Sequence, residues 1–284
     1  MHQKLKYGLL LFFILGTGLI LWRLYGTFEK KLTDVSYSSH PSCRMDVFLP
    51  GNRTPETPFI ILIHGGAWVA GDKLWLRRLQ KYLLVNGIAS ANINYRLADK
   101  KIHYADILLD IDNAISFCEI NAEKWDVRNS GYALCGTSAG GHLALLSGFR
   151  LSKKISAIMA MCPFTDLTDS LMIKSLQHSG LINAVNFLAG NVYQPVLSAQ
   201  VAFRPVSPIY HIKNIPILLI HGTGDAVVPH SQSAKLSDAL NRAGIQQKFI
   251  SITGANHDLN ILTDPETGKM IYGEIAGWAK KYWD

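Results

Sequence analysis

Short apolar runs alternate along the chain with longer stretches in which apolar residues recur every three to four positions. Several of the short runs are apolar almost throughout, as expected for strands buried on both faces of a sheet. They predict strands at 44–49, 58–63, 88–95, 131–135, 155–161, 216–220 and 247–252. The stretches with helical spacing predict helices at 73–86, 104–122, 139–150, 231–243 and 268–282.

This order of elements predicts the α/β class, with a mostly parallel central sheet and helices on both of its faces. No internal repeat interrupts the pattern. In open α/β sheets, ligands bind at the carboxyl ends of the strands. We therefore expect the functional residues directly after the apolar runs.

The N-terminal segment 7–22 contains no charged residue. Its 16 residues lie between the roughly 7–15 apolar residues of a signal peptide and the roughly 17–25 of a transmembrane helix. Arg23 follows in place of small residues typical of a cleavage site, which favours an uncleaved membrane anchor within residues 1–28. Lys4 and Lys6 predict a cytoplasmic N-terminus, with the rest of the chain facing the periplasm or exterior. Secretion after signal cleavage is the alternative.

Composition indicates a folded chain with a large core, since 48% of its residues are hydrophobic and 17% are charged. The net charge of +7 is spread over short pairs of basic residues, without a basic stripe interleaved with aromatics. This distribution favours attraction to an anionic membrane surface over nucleic-acid binding.

The four cysteines, Cys43, Cys118, Cys135 and Cys162, have no C-x-x-C spacing and no histidine pair nearby. Cys135 and Cys162 lie in apolar runs, where cysteine usually behaves as a small buried hydrophobe. We expect free, buried thiols, and we predict no metal site. No phosphate-binding loop is present, so no cofactor is predicted.

A G-x-S-x-G pattern, Gly136-Thr137-Ser138-Ala139-Gly140, follows the predicted strand 131–135 and begins the helix 139–150. A serine on such a tight strand-to-helix turn projects its hydroxyl above the sheet edge, and the glycines permit the turn. The free N–H groups of the new helix then face developing negative charge. Ser138 is the candidate nucleophile, although a glycine-rich turn with a capping serine would share the pattern.

His64-Gly65-Gly66-Ala67-Trp68 follows the predicted strand 58–63. Glycines at this position let backbone N–H groups face a ligand. With the N–H of Ala139, those of Gly65 and Gly66 would form an oxyanion hole, in which one donor is worth about 3–4 kcal/mol. A plain turn at the end of a strand is the alternative interpretation.

Asp225 and His257 follow the last two predicted strands, in the chain order Ser138, Asp225, His257 that is typical of α/β-hydrolases. His257 would accept the serine proton and Asp225 would orient the imidazole. Asp166 and Asp169, which follow the predicted strand 155–161, remain alternative acids. His142 is interpreted as a packing or hydrogen-bonding residue, and His221 and His230 as structural or supporting residues. Asp258 adjoins His257 in the sequence but is expected to point elsewhere.

The segments HGGAW, GTSAGGH, SPIYHIKNIPILLIHGTGDAVVP and GANHD together resemble the esterase/lipase group related to hormone-sensitive lipase. They are most similar to its compact carboxylesterase and acetylxylan- or feruloyl-esterase-like branch. The resemblance implies an α/β-hydrolase catalytic domain at 29–284, with Ser138, Asp225 and His257 as triad. It also implies Gly65, Gly66 and Ala139 as oxyanion donors. Ala67 departs from the HGGG of the lipase-like members.

Three segments are relevant to the comparison of the domain with larger members of that group. Residues 35–59 hold strand-like runs and leave no room for an N-terminal helical cap, and residues 26–34 are interpreted as a linker. Residues 164–208 form a long insertion with a helical stretch near 170–189, which is either a lid over the substrate or an ordinary crossover.

Three functions remain open. The first is a serine carboxylesterase acting on short-chain or aryl esters through an acyl-enzyme. The second is an amidase such as an arylformamidase, or a peptidase-like hydrolase, using the same triad. The third is a non-catalytic interaction protein, which the presence of all three triad residue types disfavours.

Overall fold

The computed structural model describes residues 28–193 and 201–283. Within these ranges, one sheet contains the strands β1 (Lys30–Ser36), β2 (Arg44–Leu49), β3 (Phe59–Ile63), β4 (Ala89–Ile93), β5 (Tyr132–Thr137), β6 (Ile155–Met161), β7 (Ile217–Gly222) and β8 (Gln247–Ile252). The α-helices are α1 (Arg77–Val85), α2 (Tyr104–Trp125), α3 (Ala139–Arg150), α4 (Ser170–His178), α5 (Ile182–Ala189), α6 (Ser231–Arg242) and α7 (Pro265–Lys281).

The strand order is β1-β2-β4-β3-β5-β6-β7-β8. Strand β2 runs antiparallel to both of its neighbours, and every pair from β4 to β8 is parallel. The expected α/β-hydrolase fold with a mostly parallel sheet is therefore confirmed. Because β3, β5, β6 and β7 are parallel, their carboxyl ends lie at one edge of the sheet.

Alternate residues of the central strands pack into two apolar clusters, one on each face of the sheet. Ile61 and Ile63 of β3 belong to the cluster formed with helices α2 and α3. Ile60 and Leu62 belong to the other cluster, which α1 and α7 complete. All four side chains are fully buried, which explains why β3 is apolar throughout.

The interpretation of residues 26–34 as a linker was wrong for the part that the structure describes. Residues from Lys30 onward form β1, which pairs antiparallel with β2. All seven of its residues are exposed or half-buried, because β1 lies at the edge of the sheet. An edge strand of this kind lacks the apolar alternation by which strands are recognised in sequence.

The other differences concern the bounds of elements. The stretch predicted as one helix at 73–86 begins with a 3₁₀ turn at Lys73–Leu76, capped by the Asp72 side chain, before α1. The helical stretch near 170–189 is two helices, α4 and α5, separated at Gly180, whose φ is 72°. Strands β5 and β7 extend two residues beyond their predicted ends.

The predicted membrane segment at 7–22 lies outside the described residues. Among the helices that the structure does describe, none is both long and apolar enough to cross a bilayer. All four cysteines are buried and free, as expected.

Candidate active site

Ser138 occupies a strained turn between β5 and α3. Its backbone has φ 55° and ψ −123°, a conformation that non-glycine residues rarely adopt. Flanking glycines make the turn possible: a Cβ on Gly136 would lie 2.3 Å from the carbonyl oxygen of Gly140. The Ser138 N–H donates to the Met161 carbonyl at 2.7 Å, which fixes the turn against β6.

The structure brings the three predicted catalytic side chains together at the carboxyl edge of the sheet. His257 Nε2 lies 2.9 Å from Ser138 Oγ, and His257 Nδ1 lies 2.7 Å from Asp225 Oδ2. The imidazole is 25% exposed, whereas the Asp225 side chain is fully buried. With Asp225 accepting at Nδ1, the free Nε2 can take the serine proton.

The Asp225 carboxylate is held by donors on both of its oxygens. Oδ1 accepts from the backbone N–H groups of Val227 at 2.8 Å and Val228 at 2.9 Å. Oδ2 accepts from His257 and also lies 3.1 Å from His221 Nε2. Burial alone would raise the pKa of Asp225, but the hydrogen bonds from His221 and His257 outweigh it and hold the pKa well below its ordinary value. Asp225 is therefore an anion at neutral pH.

The segment after β3 lies directly beside the serine. A Cβ on Gly65 would be 3.3 Å from the Ser138 Cβ and 3.0 Å from the Thr137 carbonyl oxygen. Gly66 has φ 109°, and a Cβ there would lie 2.2 Å from the Ala70 carbonyl oxygen. A Cβ on Gly66 would require the backbone to move, whereas a Cβ on Gly65 would make a tight contact with the Thr137 carbonyl. Ala139 begins α3 next to Ser138, so Gly65 and Ala139 both lie beside the candidate nucleophile.

Ala67, which replaces the third glycine of the HGGG pattern, adopts a left-handed conformation with φ 49°, and Trp68 follows with φ 64°. Two consecutive non-glycine residues in this region are strained. The departure from HGGG therefore places a strained non-glycine residue, Ala67, in the turn after β3.

Of the alternative acids and bases, the structure assigns most to structural contacts. Asp166 Oδ1 accepts from the N–H and hydroxyl of Thr168, and Asp169 pairs with Lys235 and caps α4. His230 Nε2 lies 2.7 Å from Ser251 Oγ. Asp258 is exposed and accepts from the Asn260 N–H.

Two contacts near the site lie beyond what the sequence pattern indicated. His221 shares Asp225 Oδ2 with His257, and the Trp68 indole N–H donates to His142 Nδ1 at 3.1 Å across 74 positions of sequence. Both histidines lie in or beside the motifs, but no local signal specifies their partners.

One group of potential metal ligands occurs in the described parts of the chain. The donor atoms of Cys162, His221 and Asp225 all lie within 4.8 Å of one another. His221 Nε2 and both Asp225 oxygens already make hydrogen bonds. Burial raises the pKa of the Cys162 thiol well above its ordinary value, which keeps it protonated. The group therefore acts as a hydrogen-bonded support for the Asp225 carboxylate.

Comparison with protein families identifies the group to which this architecture belongs. The BD-FAE family model matches residues 45–240, which is more than half of the chain. The chain belongs to the BD-FAE family. This is a hormone-sensitive-lipase-like α/β-hydrolase family, so the resemblance inferred from the motifs is confirmed.

Individual relatives agree with this assignment. A protein of Oryza sativa subsp. japonica named probable isoprenylcysteine alpha-carbonyl methylesterase is 28% identical over 90% of this chain and 65% of its own length. The kynurenine formamidase of Danio rerio is 26% identical over 80% of this chain and 75% of its own length. Several curated relatives, the rice protein among them, are matched over only 57–65% of their length.

A solved structure shows the same fold. The truncated form of a carbohydrate esterase from gut microbiota aligns with a TM-score of 0.72 and 23% identity, covering 89% of this chain and 98% of that one.

Proposed function

We propose that this BD-FAE family member is a serine hydrolase that cleaves carboxylic esters, with Ser138 as nucleophile, His257 as base and Asp225 as the acid of the triad. The observation that carries the proposal is the continuous hydrogen-bonded series from Ser138 Oγ through His257 to Asp225. A hydroxyl, an imidazole and a buried carboxylate in this order are the minimum set for activating a serine. The esterase names of relatives add support.

The reaction proceeds in two halves. Ser138 Oγ attacks the ester carbonyl carbon while its proton passes to His257 Nε2, and the carbonyl oxygen becomes an anion facing the N–H groups of Gly65, Gly66 and Ala139. The C–O bond to the alcohol then breaks, and His257 returns the proton to the leaving alkoxide. Water attacks the acyl-enzyme in the same way, giving the free acid and restoring Ser138.

Short-chain or aryl esters are the proposed substrate class, and a chain-length series tests it. Purified protein should hydrolyse p-nitrophenyl acetate and butyrate faster than the palmitate ester, and Ser138→Ala should abolish turnover. Ser130→Ala is a matched control, because Ser130 is exposed and precedes β5 at the opposite end of that strand. Unchanged hydrolysis by Ser138→Ala contradicts the assignment of the nucleophile.

A formamidase activity on the same triad is a second candidate, favoured by the similarity to a kynurenine formamidase over most of both chains. Amide hydrolysis uses the same steps, with His257 protonating a departing amine. Comparing kcat/KM on N-formylkynurenine and on p-nitrophenyl acetate decides between the two. A higher kcat/KM on the formyl amide would replace the esterase proposal.

We also propose that residues 7–22 anchor the chain in a membrane, with the hydrolase domain in the periplasm or outside the cell. The proposal rests on the uncharged apolar run and on Lys4 and Lys6 before it. The full chain should remain in the membrane pellet after an alkaline wash, and a variant without residues 1–28 should not. Recovery of the full chain in the supernatant contradicts an anchor.

A further inference from the structure

Trp68 links the segment after β3 to the helix that carries the nucleophile. The side chain is fully buried, and its indole N–H donates to His142 Nδ1 at 3.1 Å. Its ring also packs against Phe164, with centroids 4.7 Å apart. His142 is the fourth residue after Ser138, and its N–H donates to the Ser138 carbonyl at 2.9 Å. One side-chain hydrogen bond therefore joins the two segments that face the substrate carbonyl.

The contacts of His142 determine which of its nitrogens carries the proton. Nδ1 must accept, because the indole nitrogen of Trp68 can only donate. Nε2 lies 2.7 Å from the Val206 carbonyl oxygen, so it must donate. The ring is fully buried, and burial lowers the pKa of His142 to about 4. His142 is therefore a neutral imidazole with both nitrogens engaged, and it makes no contact that suits a proton shuttle.

The backbone of the segment that carries Trp68 is strained. Ala67 and Trp68 both have positive φ, in the region that side chains other than glycine seldom occupy. Such a conformation persists only where surrounding contacts enforce it. The Trp68 carbonyl accepts from the Ala98 N–H at 2.8 Å, and the indole bond to His142 fixes the side chain. The Gly66 carbonyl also accepts from the N–H groups of Val69 and Ala70 within the turn, and the indole bond ties the turn to α3.

We propose that Trp68 and His142 are positioning residues for the reaction, which hold the N–H groups of Gly65 and Gly66 at a fixed distance from Ser138. The inference rests on the proposed function, since it assigns those N–H groups to the oxyanion. It goes beyond that function by naming the side chains that set the geometry of the hole. A second hydrogen bond of His142, from Nε2 to the Val206 carbonyl, ties this geometry to the 164–208 insertion.

A positioning role of this kind has a kinetic signature. Oxyanion donors act on the tetrahedral state far more than on the bound ester, so misplacing them lowers kcat and leaves KM nearly unchanged. Loss of a whole donor costs about 10²–10³ in kcat, and a displaced loop should cost about 10–100-fold. A change that only destabilised the fold would reduce the amount of active protein without this selectivity.

The test uses Trp68→Phe, which retains an aromatic ring and removes the N–H. Trp278→Phe is the control, because the Trp278 Nε1 is buried and has no hydrogen-bond partner among the described residues. We expect kcat on p-nitrophenyl acetate to fall about 10–100-fold in Trp68→Phe, with KM within about twofold. Affinity for a trifluoromethyl ketone, whose adduct with the serine resembles the tetrahedral state, should fall by the same factor. Trp278→Phe should change neither quantity.

Two substitutions of His142 separate its two bonds. Asn places its amide oxygen near the position of Nδ1 and retains an acceptor for Trp68, whereas Gln places its amide nitrogen near Nε2 and retains the donor to Val206. We expect His142→Asn to keep more trifluoromethyl ketone affinity than His142→Gln. The amount of folded protein in each variant is measured by circular dichroism and by titration of the active serine with a fluorophosphonate. The ketone affinities are then compared for equal amounts of folded protein.

Each outcome has a distinct meaning. If the wild-type protein shows no hydrolysis and no fluorophosphonate labelling, the proposed function itself fails. If the wild type is active and Trp68→Phe matches Trp278→Phe in kcat and in ketone affinity, the positioning role is wrong. Equal ketone affinity in His142→Asn and His142→Gln also overturns it.

Discussion

Gly140 packs so closely against strand β3 that a Cβ on it would lie 2.0 Å from the carbonyl oxygen of Ile63. The same atom would lie 2.5 Å from the His64 carbonyl oxygen. This approach lets the start of α3 sit beside the segment that leaves β3, and it brings Ser138 close to Gly65. The second glycine of the G-x-S-x-G motif is therefore required by the spacing of two backbones.

Gly140→Ala should destabilise the protein by about 3 kcal/mol or more, because two backbone carbonyls would have to move. The measurement is the free energy of unfolding in urea. Gly277→Ala is the control, because Gly277 lies on the exposed side of α7 and a Cβ there would meet no atom within 4 Å. It should gain about 0.5–1 kcal/mol from helix propensity. Equal stability of the two variants would show that the close approach is absent.

Asp225→Asn should lower kcat by about 10³–10⁴-fold while leaving the fold intact, because a neutral amide neither selects the required His257 tautomer nor stabilises the imidazolium. Steady-state kinetics on p-nitrophenyl acetate measures this. Asp258→Asn changes the exposed carboxylate next to His257, and it should retain kcat within about twofold. A similar loss of kcat in both variants would contradict the assignment of Asp225 as the acid of the triad.

His221→Leu should reduce kcat by about tenfold, since it removes one of the donors that hold Asp225. His221 Nε2 lies between two acceptors, Asp225 Oδ2 at 3.1 Å and the Val228 carbonyl at 3.0 Å, so this nitrogen carries the proton. His221→Gln can place an amide N–H at the same position and should recover most of the rate. If Gln and Leu reduce kcat equally, the donated hydrogen bond is unimportant.

The stability of the protein should fall between pH 6.5 and pH 4 through His142. Its pKa is lowered to about 4 by burial, so the unfolded chain binds a proton before the folded protein does, and acid favours unfolding. Between pH 7 and pH 5 this one group should cost about 2 kcal/mol. Urea unfolding of wild type and His142→Asn at both pH values isolates it. Parallel losses in the two proteins would contradict the burial of a neutral imidazole.

Much of the fold and the candidate site followed from local patterns. Strands such as β3 are apolar because both faces are covered, and the residues after them must lie at one edge when the strands are parallel. Ser138, Asp225 and His257 could therefore be placed at the same edge from the sequence alone. Most residues of α2 and α6 were likewise predicted from the helical spacing of their apolar positions.

The features that escaped prediction depend on contacts between distant parts of the chain. Strand β1 is polar because it is an edge strand, and only its pairing with β2 reveals it. The Trp68–His142 hydrogen bond and the sharing of Asp225 by two imidazoles arise from packing across the sheet edge. The sequence indicated that these residues were near the site, but it did not specify which atoms meet.

The most direct test of the proposed nucleophile is to identify the residue that becomes covalently modified. Purified protein should be treated with a fluorophosphonate, digested and mapped by mass spectrometry. We predict one adduct per chain on the peptide that contains Ser138, and no adduct in Ser138→Ala. Absence of labelling in the folded wild type, or an adduct on a different serine that persists in Ser138→Ala, would contradict the assignment.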